Sequence, residues 1–251
     1  MNMVVLFGAL LVSCIFPLGL YFYLKTARKE DKEYQKDCWD LLWNGFLLGF
    51  PVFGFSLLCF LAFKLLHLGD NWIVKLFFSN FVLKAVSEEL MKYLLASKII
   101  KKNHAKISFL DLMAYTTISA IGFEIMESFT YLFSSNVGQI IVRGVTNMHA
   151  AFGLIMGYLM ATGYKKNWKH PVLWGLVVPI IIHGVYDLCL SEEIADTDWG
   201  LLSLLIAFIC LVINIVNYFF MNKARKDPYY TDPLFAEASR LSAIENTESQ
   251  K

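Results

Sequence analysis

Seven apolar stretches divide this chain, each near the roughly 20 residues an α-helix needs to cross a bilayer's hydrocarbon core. They run over residues 3–24, 41–63, 77–99, 108–133, 139–163, 172–190 and 200–221. A backbone in hydrocarbon must satisfy its own hydrogen bonds, so such a series predicts an all-α, polytopic membrane bundle of about seven transmembrane helices. Of the 251 residues, 57% are hydrophobic and only 17% are charged, against roughly 25% charged in soluble domains. A soluble core of this length could not hide that much apolar surface. A soluble enzyme, a nucleic-acid binder and a disordered chain are excluded on this ground. No Lys or Arg precedes the first stretch and it runs on through Leu24, so it reads as a retained span and not a cleaved signal.

Basic residues set the expected orientation. Lys25, Arg28, Lys29, Lys32 and Lys36 lie in one connection, and Lys98, Lys101, Lys102 and Lys106 in another. Lys165, Lys166 and Lys169 follow in a third, and Lys223, Arg225 and Lys226 open the C-terminal segment. These are alternate connections. The opposite side has only Lys64 and Lys75, with an acidic patch at Glu192, Glu193, Asp196 and Asp198. The N-terminus is therefore expected outside and the C-terminus in the cytoplasm. Residues 1–221 form the transmembrane domain, and 222–251 a polar cytoplasmic tail, mobile from about residue 227. Residues 71–79 are read as an interfacial or re-entrant piece ahead of a third span beginning near Asn80. Gly45-Phe46-Leu47-Leu48-Gly49 and Gly153-Leu154-Ile155-Met156-Gly157 are GxxxG patterns suited to close helix packing. The five cysteines form no CxxC and read as membrane-embedded thiols.

Charged residues inside the spans carry the functional signal. The third span holds Lys84, Glu88, Glu89 and Lys92, and the fourth Glu124 and Glu127. The fifth holds Arg143 and His149, and the sixth His183 and Asp187. Each acidic or basic residue would cost roughly 2.5–3.5 kcal/mol at mid-helix against lipid, so they must face one another or water. Their spacing agrees: Glu88 and Lys92, Glu124 and Glu127, and His183 and Asp187 are three or four apart, on one helix face each. Counted from the basic end, Glu124, Glu127, His183 and Asp187 lie past mid-span and His149 near it. With the third span starting at Asn80, Glu88 and Glu89 join them in one site opening outward.

Amide hydrolysis needs a base for water, a stabiliser for the oxyanion and an acid for the leaving amine. The carboxylate pairs could handle protons, and His149 and His183 could donate to an oxyanion or bind a metal with a carboxylate. Two His and one Glu is a catalytic zinc set, here His149, His183 and Glu127, although no HExxH is present. Spacing alone leaves a divalent metal such as zinc open.

Glu88-Glu89-Leu90-Met91-Lys92 (EExxK), Phe123-Glu124-Ile125-Met126-Glu127 (FExxE), His149 and His183-Gly184-Val185-Tyr186-Asp187 (HxxxD) follow one another on successive spans. In this order they resemble the PrsW family of intramembrane proteases, over about residues 80–190. The family looks distantly similar to the CAAX-prenyl endopeptidase and bacteriocin-processing group, with its EExxxR, FxxxH and HxxxN. On that likeness Glu88 resembles the water-activating glutamate, Glu127 stands at the position of the first histidine, and His183 begins the oxyanion pair. Asp187 departs from the pattern, because an ionised carboxylate cannot donate to an oxyanion as Asn would. Its expected part is to orient His183, to be held protonated or to bind metal.

The resemblance implies a multi-pass enzyme of the cell membrane that cuts a membrane-tethered protein such as a single-pass anti-sigma factor, on its extracytoplasmic side. The lipid bilayer is its other partner. Glu88 is the expected base, with Glu89 or Glu127 as the second carboxylate and His149 and His183 as oxyanion donors or metal ligands. Lys92, Glu124 and Arg143 are supporting residues. A proton- or ion-coupled transporter uses similar Glu/His/Asp relays, but no inverted repeat is visible. A non-catalytic scaffold or immunity protein is the third reading.

Overall fold

The computed structural model describes residues 3–66, 71–134, 137–191 and 200–235. Helix α1 (Met3–Lys25) leads through a 3₁₀ turn into α2 (Lys32–Leu47) and α3 (Gly49–Leu65). Next come α4 (Trp72–Phe77), a π-helical stretch (Phe78–Val86) and α5 (Ser87–Lys102). Then follow α6 (Phe109–Ser134), α7 (Val137–Thr146), α8 (Met148–Lys165), α9 (Pro171–Cys189), α10 (Gly200–Ala224) and a short α11 (Pro228–Thr231).

Four described helical segments are long and apolar enough to cross a membrane: Val5–Arg28, Phe109–Tyr131, Pro171–Cys189 and Leu201–Ala224. The α2–α3 pair, bent by 41°, passes as a fifth. The expected spans 77–99 and 139–163 are not uninterrupted apolar helices, for two different reasons. The former carries the charged EExxK segment on a helix that changes from α to π and back. The latter breaks at Asn147, whose φ of 48° is left-handed and ends α7 before α8 begins. Asn tolerates this conformation better than most residues, and no Gly or Pro marked the break.

The re-entrant piece expected at 71–79 is absent. Asn71 caps α4 by accepting from the backbone N–H groups of Ile73 and Val74. The backbone then stays helical for 31 residues, from Trp72 to Lys102. Glu88 and Glu89 fall in the middle of that length.

Helix α6 is the enclosed axis, with Leu112, Ile118, Ala120, Ile121 and Glu124 sealed from solvent. Phe7 and Leu11 of α1 and Phe208 and Phe219 of α10 point outward, as suits lipid. Both GxxxG patterns lie at helix contacts. A Cβ on Gly45 would meet Ser119 O of α6 at 2.5 Å, and one on Gly153 would meet Thr116 O at 2.8 Å. Thr116 uses the second approach, donating its hydroxyl to Gly153 O at 2.8 Å.

The four basic connections gather at one end of the bundle. There Arg28 pairs with Asp111 at 2.6 Å, Lys102 pairs with Asp37 at 2.9 Å, and Arg225 donates to Tyr23 O at 3.0 Å. The start of the C-terminal segment differs from the mobile tail expected there. Leu234 N donates to Ile107 O at 2.8 Å, the Tyr230 ring packs on Phe109, and Phe235 stacks on His104. Aromatic residues in this otherwise polar stretch give it something to bury. The acidic patch at 192–198 lies outside the described residues.

Candidate active site

Helix α5 supplies the EExxK segment, and its consecutive glutamates leave the axis about 100° apart. Glu88 and Glu89 nevertheless reach the same neighbours, His149 and His183, with Lys92 one turn on beneath both. Lys92 is almost wholly enclosed. Its Nζ donates to Glu89 Oε1 at 2.9 Å and lies 3.6 Å from Glu88 Oε2. The expected Glu88–Lys92 pair is thus the looser of the two, and Glu89 is the partner in hydrogen-bond contact. The same Nζ lies 2.7 Å from His149 Nδ1 and 4.4 Å from the centre of the Phe123 ring.

The break at Asn147 places His149 in the first turn of α8, where backbone N–H groups have no partner within the helix. Glu124 Oε2, from α6, accepts the His149 N–H at 3.1 Å. On the other side of the break Asn214 of α10 donates to Thr146 O and Asn147 O, each at 3.0 Å. Two helices outside the broken pair therefore satisfy groups the break exposes, as a low-dielectric interior requires.

The His149 ring is fixed at both nitrogens. Nε2 lies 2.5 Å from Glu127 Oε2, and Nδ1 faces the Lys92 ammonium. Nε2 also lies 3.1 Å from the Arg143 guanidinium, which like the ammonium can only donate, so each ring nitrogen faces a cation and the Glu127 carboxylate lies beside Nε2. Glu127 also pairs with Arg143, which donates to the Tyr131 hydroxyl at 3.0 Å. His183 on α9 faces carboxylates at both ring nitrogens. Its Nδ1 lies 2.9 Å from Glu89 Oε1, and Nε2 faces Glu88 Oε2 at 3.8 Å and Asp187 Oδ2 at 3.4 Å. Phe152 stacks on the His183 ring, and Lys84 stands 3.8 Å from Asp187.

All nine residues singled out from the sequence meet here. Glu88, Glu89, His149 and His183 each offer a donor atom, and these atoms lie within 4.8 Å of one another. Glu127, expected as the third metal donor, stands to one side with Arg143 and His149, and the two α5 glutamates complete the group.

One observation says that this group fits a divalent cation, its unpartnered carboxylate oxygens. Glu88 Oε2 and Glu89 Oε2 are enclosed and have no hydrogen-bond partner among the described residues, where buried acceptors are normally satisfied. The cluster also sets five carboxylates (Glu88, Glu89, Glu124, Glu127, Asp187) against three cationic side chains (Lys84, Lys92, Arg143). Protonation of His149 and His183 would balance these charges as fully as a divalent cation would. The Glu89 bond to His183 Nδ1 also resembles the carboxylate–histidine pairing that orients metal-bound imidazoles.

Sequence reasoning missed Tyr131, Phe152 and Asn214, and placed Asn147 only on a polar face beside Arg143. Tyr131 lies four residues after Glu127, on the same helix face, and that spacing could have found it. The part played by Asn214 depends on the break at Asn147 and has no local signal.

Residues 37–216 match the family described as PrsW family intramembrane metalloprotease. Protease PrsW of Clostridioides difficile (strain 630) is 28% identical over 148 residues, which cover 55% of this chain and 60% of that protein. Protease PrsW of Oceanobacillus iheyensis is 29% identical over 123 residues, 46% of this chain and 56% of that protein. Protease PrsW of Bacillus subtilis (strain 168) is 27% identical over 185 residues, 71% of this chain and 78% of that protein. No solved structure matches the chain.

Proposed function

The chain belongs to the PrsW family, and from that premise we propose that it is an intramembrane endopeptidase acting on a membrane-tethered protein. The observation that carries this reading is the convergence of Glu88, Glu89, His149 and His183 inside a membrane bundle, with unpartnered carboxylate oxygens. An immobile scaffold would gain nothing from orphaned buried acceptors that a plain ion pair would not supply.

In the proposed mechanism Glu88, which keeps slight exposure while Glu89 has none, accepts a proton from the attacking water. It then returns that proton to the leaving amine. Lys92 and Arg143, held close by carboxylates, offset the negative charge that develops on the carbonyl oxygen. Glu89 holds His183 by its Nδ1–H and keeps Nε2 turned toward Glu88. Glu127 holds His149 by its Nε2. Asp187 steadies His183 from one turn further along α9. Glu88, Glu89, His149 and His183 would hold a divalent metal such as zinc, which when bound supplies a Lewis acid for the carbonyl and for water.

The proposed topology is seven passes: α1, α2–α3, the helix over 72–102, α6, α7–α8, α9 and α10. The N-terminus lies outside and the C-terminus in the cytoplasm of a cell-membrane protein. The gathering of the basic connections at one end supports it. The proposed substrate is a single-pass protein such as an anti-sigma factor, cut on the extracytoplasmic side as the first step of regulated proteolysis.

The test is cleavage of a tagged single-pass substrate by the purified full chain in liposomes. Glu88→Gln keeps the shape and removes the base, and cleavage is expected to fall by about 10²-fold or more while insertion and helicity persist. Cleavage at the wild-type rate in Glu88→Gln would take Glu88 out of the mechanism.

A further inference from the structure

On the side of the bundle walled by α8, α9 and α10 lies a hollow of about 540 Å³. Leu154, Tyr158, Ile182, Val212, Val216 and Phe220 are among the residues that wall it. A second hollow of about 430 Å³ shares Leu159 and Val178 with the first and continues to Trp168, Lys169 and Trp174. Together they form a channel with an apolar body and a mouth of one cation and two indoles. That mouth belongs to the basic end of the bundle, and Trp is the residue type that favours a membrane–water interface.

The apolar body holds one polar group. Asn217 of α10 lines it and is 6% exposed, yet its Nδ2 has no acceptor among the described residues. An amide donor without a partner at this depth is costly, so the group points to an acceptor that the bundle does not supply. A transmembrane helix is a poor candidate, because its carbonyls are already engaged in their own i→i−4 bonds. The ester carbonyl of a lipid is free. Lys169 is also free: Lys165 nearby lies over the Tyr229 ring, whereas Lys169 is exposed and makes no ion pair among the described residues.

We propose that the α8–α9–α10 channel is a binding site for one anionic glycerophospholipid. Its phosphate sits at Lys169 between Trp168 and Trp174, an ester carbonyl accepts from Asn217, and an acyl chain fills the body. The site is separate from the glutamate–histidine cluster and does not depend on proteolysis. Occupancy would wedge α8, which carries His149, against α9, which carries His183, so bilayer composition would reach the active site through packing.

The test uses the full chain purified in detergent and titrated with phosphatidylglycerol under native mass spectrometry. One tightly retained phosphatidylglycerol is expected, with phosphatidylcholine of the same chains held more weakly. Asn217→Leu and Lys169→Ala are each expected to weaken retention by about tenfold, the equivalent of one hydrogen bond or ion pair at such a site. Lys64→Ala on α3 should leave it unchanged. A phosphatidylglycerol with a photoreactive acyl chain, added to the wild type, should label residues within 154–159, 178–182 or 212–220. Equal retention by all variants overturns the proposal, as does labelling spread over α1 and α3. Occupation of the channel by a second copy or by an added transmembrane peptide, in place of lipid, overturns it too.

Discussion

Glu124 on α6 accepts the backbone N–H of His149 on α8 across 3.1 Å, so a carboxylate from one helix caps the helix that carries the imidazole. The FExxE motif thereby divides its labour. Glu127 meets the ring of His149, and Glu124 meets its main chain. Among the described residues Glu127 has Arg143 within ion-pair distance, and Glu124 has no such cation.

Removing the cap should separate structure from chemistry. Glu124→Ala leaves the His149 N–H without an acceptor and is expected to cost about 1–3 kcal/mol. Glu124→Gln retains a carbonyl oxygen for that N–H and should recover most of the loss in thermal stability. Cleavage should follow the same order, wild type first, Gln close behind and Ala lowest. If the Gln and Ala variants are equally impaired, the cap is not what Glu124 provides.

Arg143 is enclosed and bonded to both Glu127 and Tyr131. Replacing it by Met strands a buried carboxylate, for an expected loss of about 3–5 kcal/mol. Adding Glu127→Gln removes the stranded charge and should restore part of that stability without restoring cleavage. Chemical denaturation of the two single variants and the double variant measures the coupling. Additive losses would show that the pair does not act as a unit.

Metal content can be measured without a substrate. The full chain prepared without chelator should carry about one equivalent of divalent metal by elemental analysis, lost on dialysis against chelator and in His183→Ala. Glu89→Gln, which weakens the hold on His183 Nδ1, should lower metal affinity by about 10–100-fold. A metal-free protein that still cleaves would leave the carboxylates to act alone.

Close packing of α8 on α6 sets where His149 stands. Gly153→Leu would drive a side chain into Thr116 and Thr117 of α6, at an expected cost of about 1–3 kcal/mol or more. Gly54→Leu on α3, where a Cβ meets nothing within 4 Å, should be nearly neutral. Equal melting temperatures for the two variants would contradict the close approach.

Much of the site was legible because membrane burial makes charge informative. Glu88, Lys92, Glu127, His183 and Asp187 stood out only because each sits in an apolar run where an isolated charge is costly, and helical spacing then gave the shared faces. Hydropathy also located the ends of α1, α9 and α10 to within a few residues. The break at Asn147 escaped because it rests on one backbone angle in a residue that fits ordinary helix nearly as well. What makes it tolerable is Asn214, 67 residues away, and Glu124, 25 residues away. The group that could hold a metal differs from the expected His149, His183 and Glu127 for a related reason: helix faces give directions but not the rotation of α5 against α8 and α9. That rotation turns Glu89 onto His183 and leaves Glu127 beside Arg143.

The π-helical stretch from Phe78 to Val86 bears on how this chain can change by insertion and deletion. A π segment holds more residues per turn than an α-helix, so it stores surplus chain immediately before Glu88. Losing one residue there can be absorbed by tightening toward α geometry, which swings Trp72–Phe77 about the axis and leaves Glu88, Glu89 and Lys92 facing their partners. A residue lost between Glu89 and Lys92 has no such slack to draw on and would turn the lysine out of the cluster. The half of this helix before Glu88 can therefore change in length and facing, while the half from Glu88 onward must keep its register.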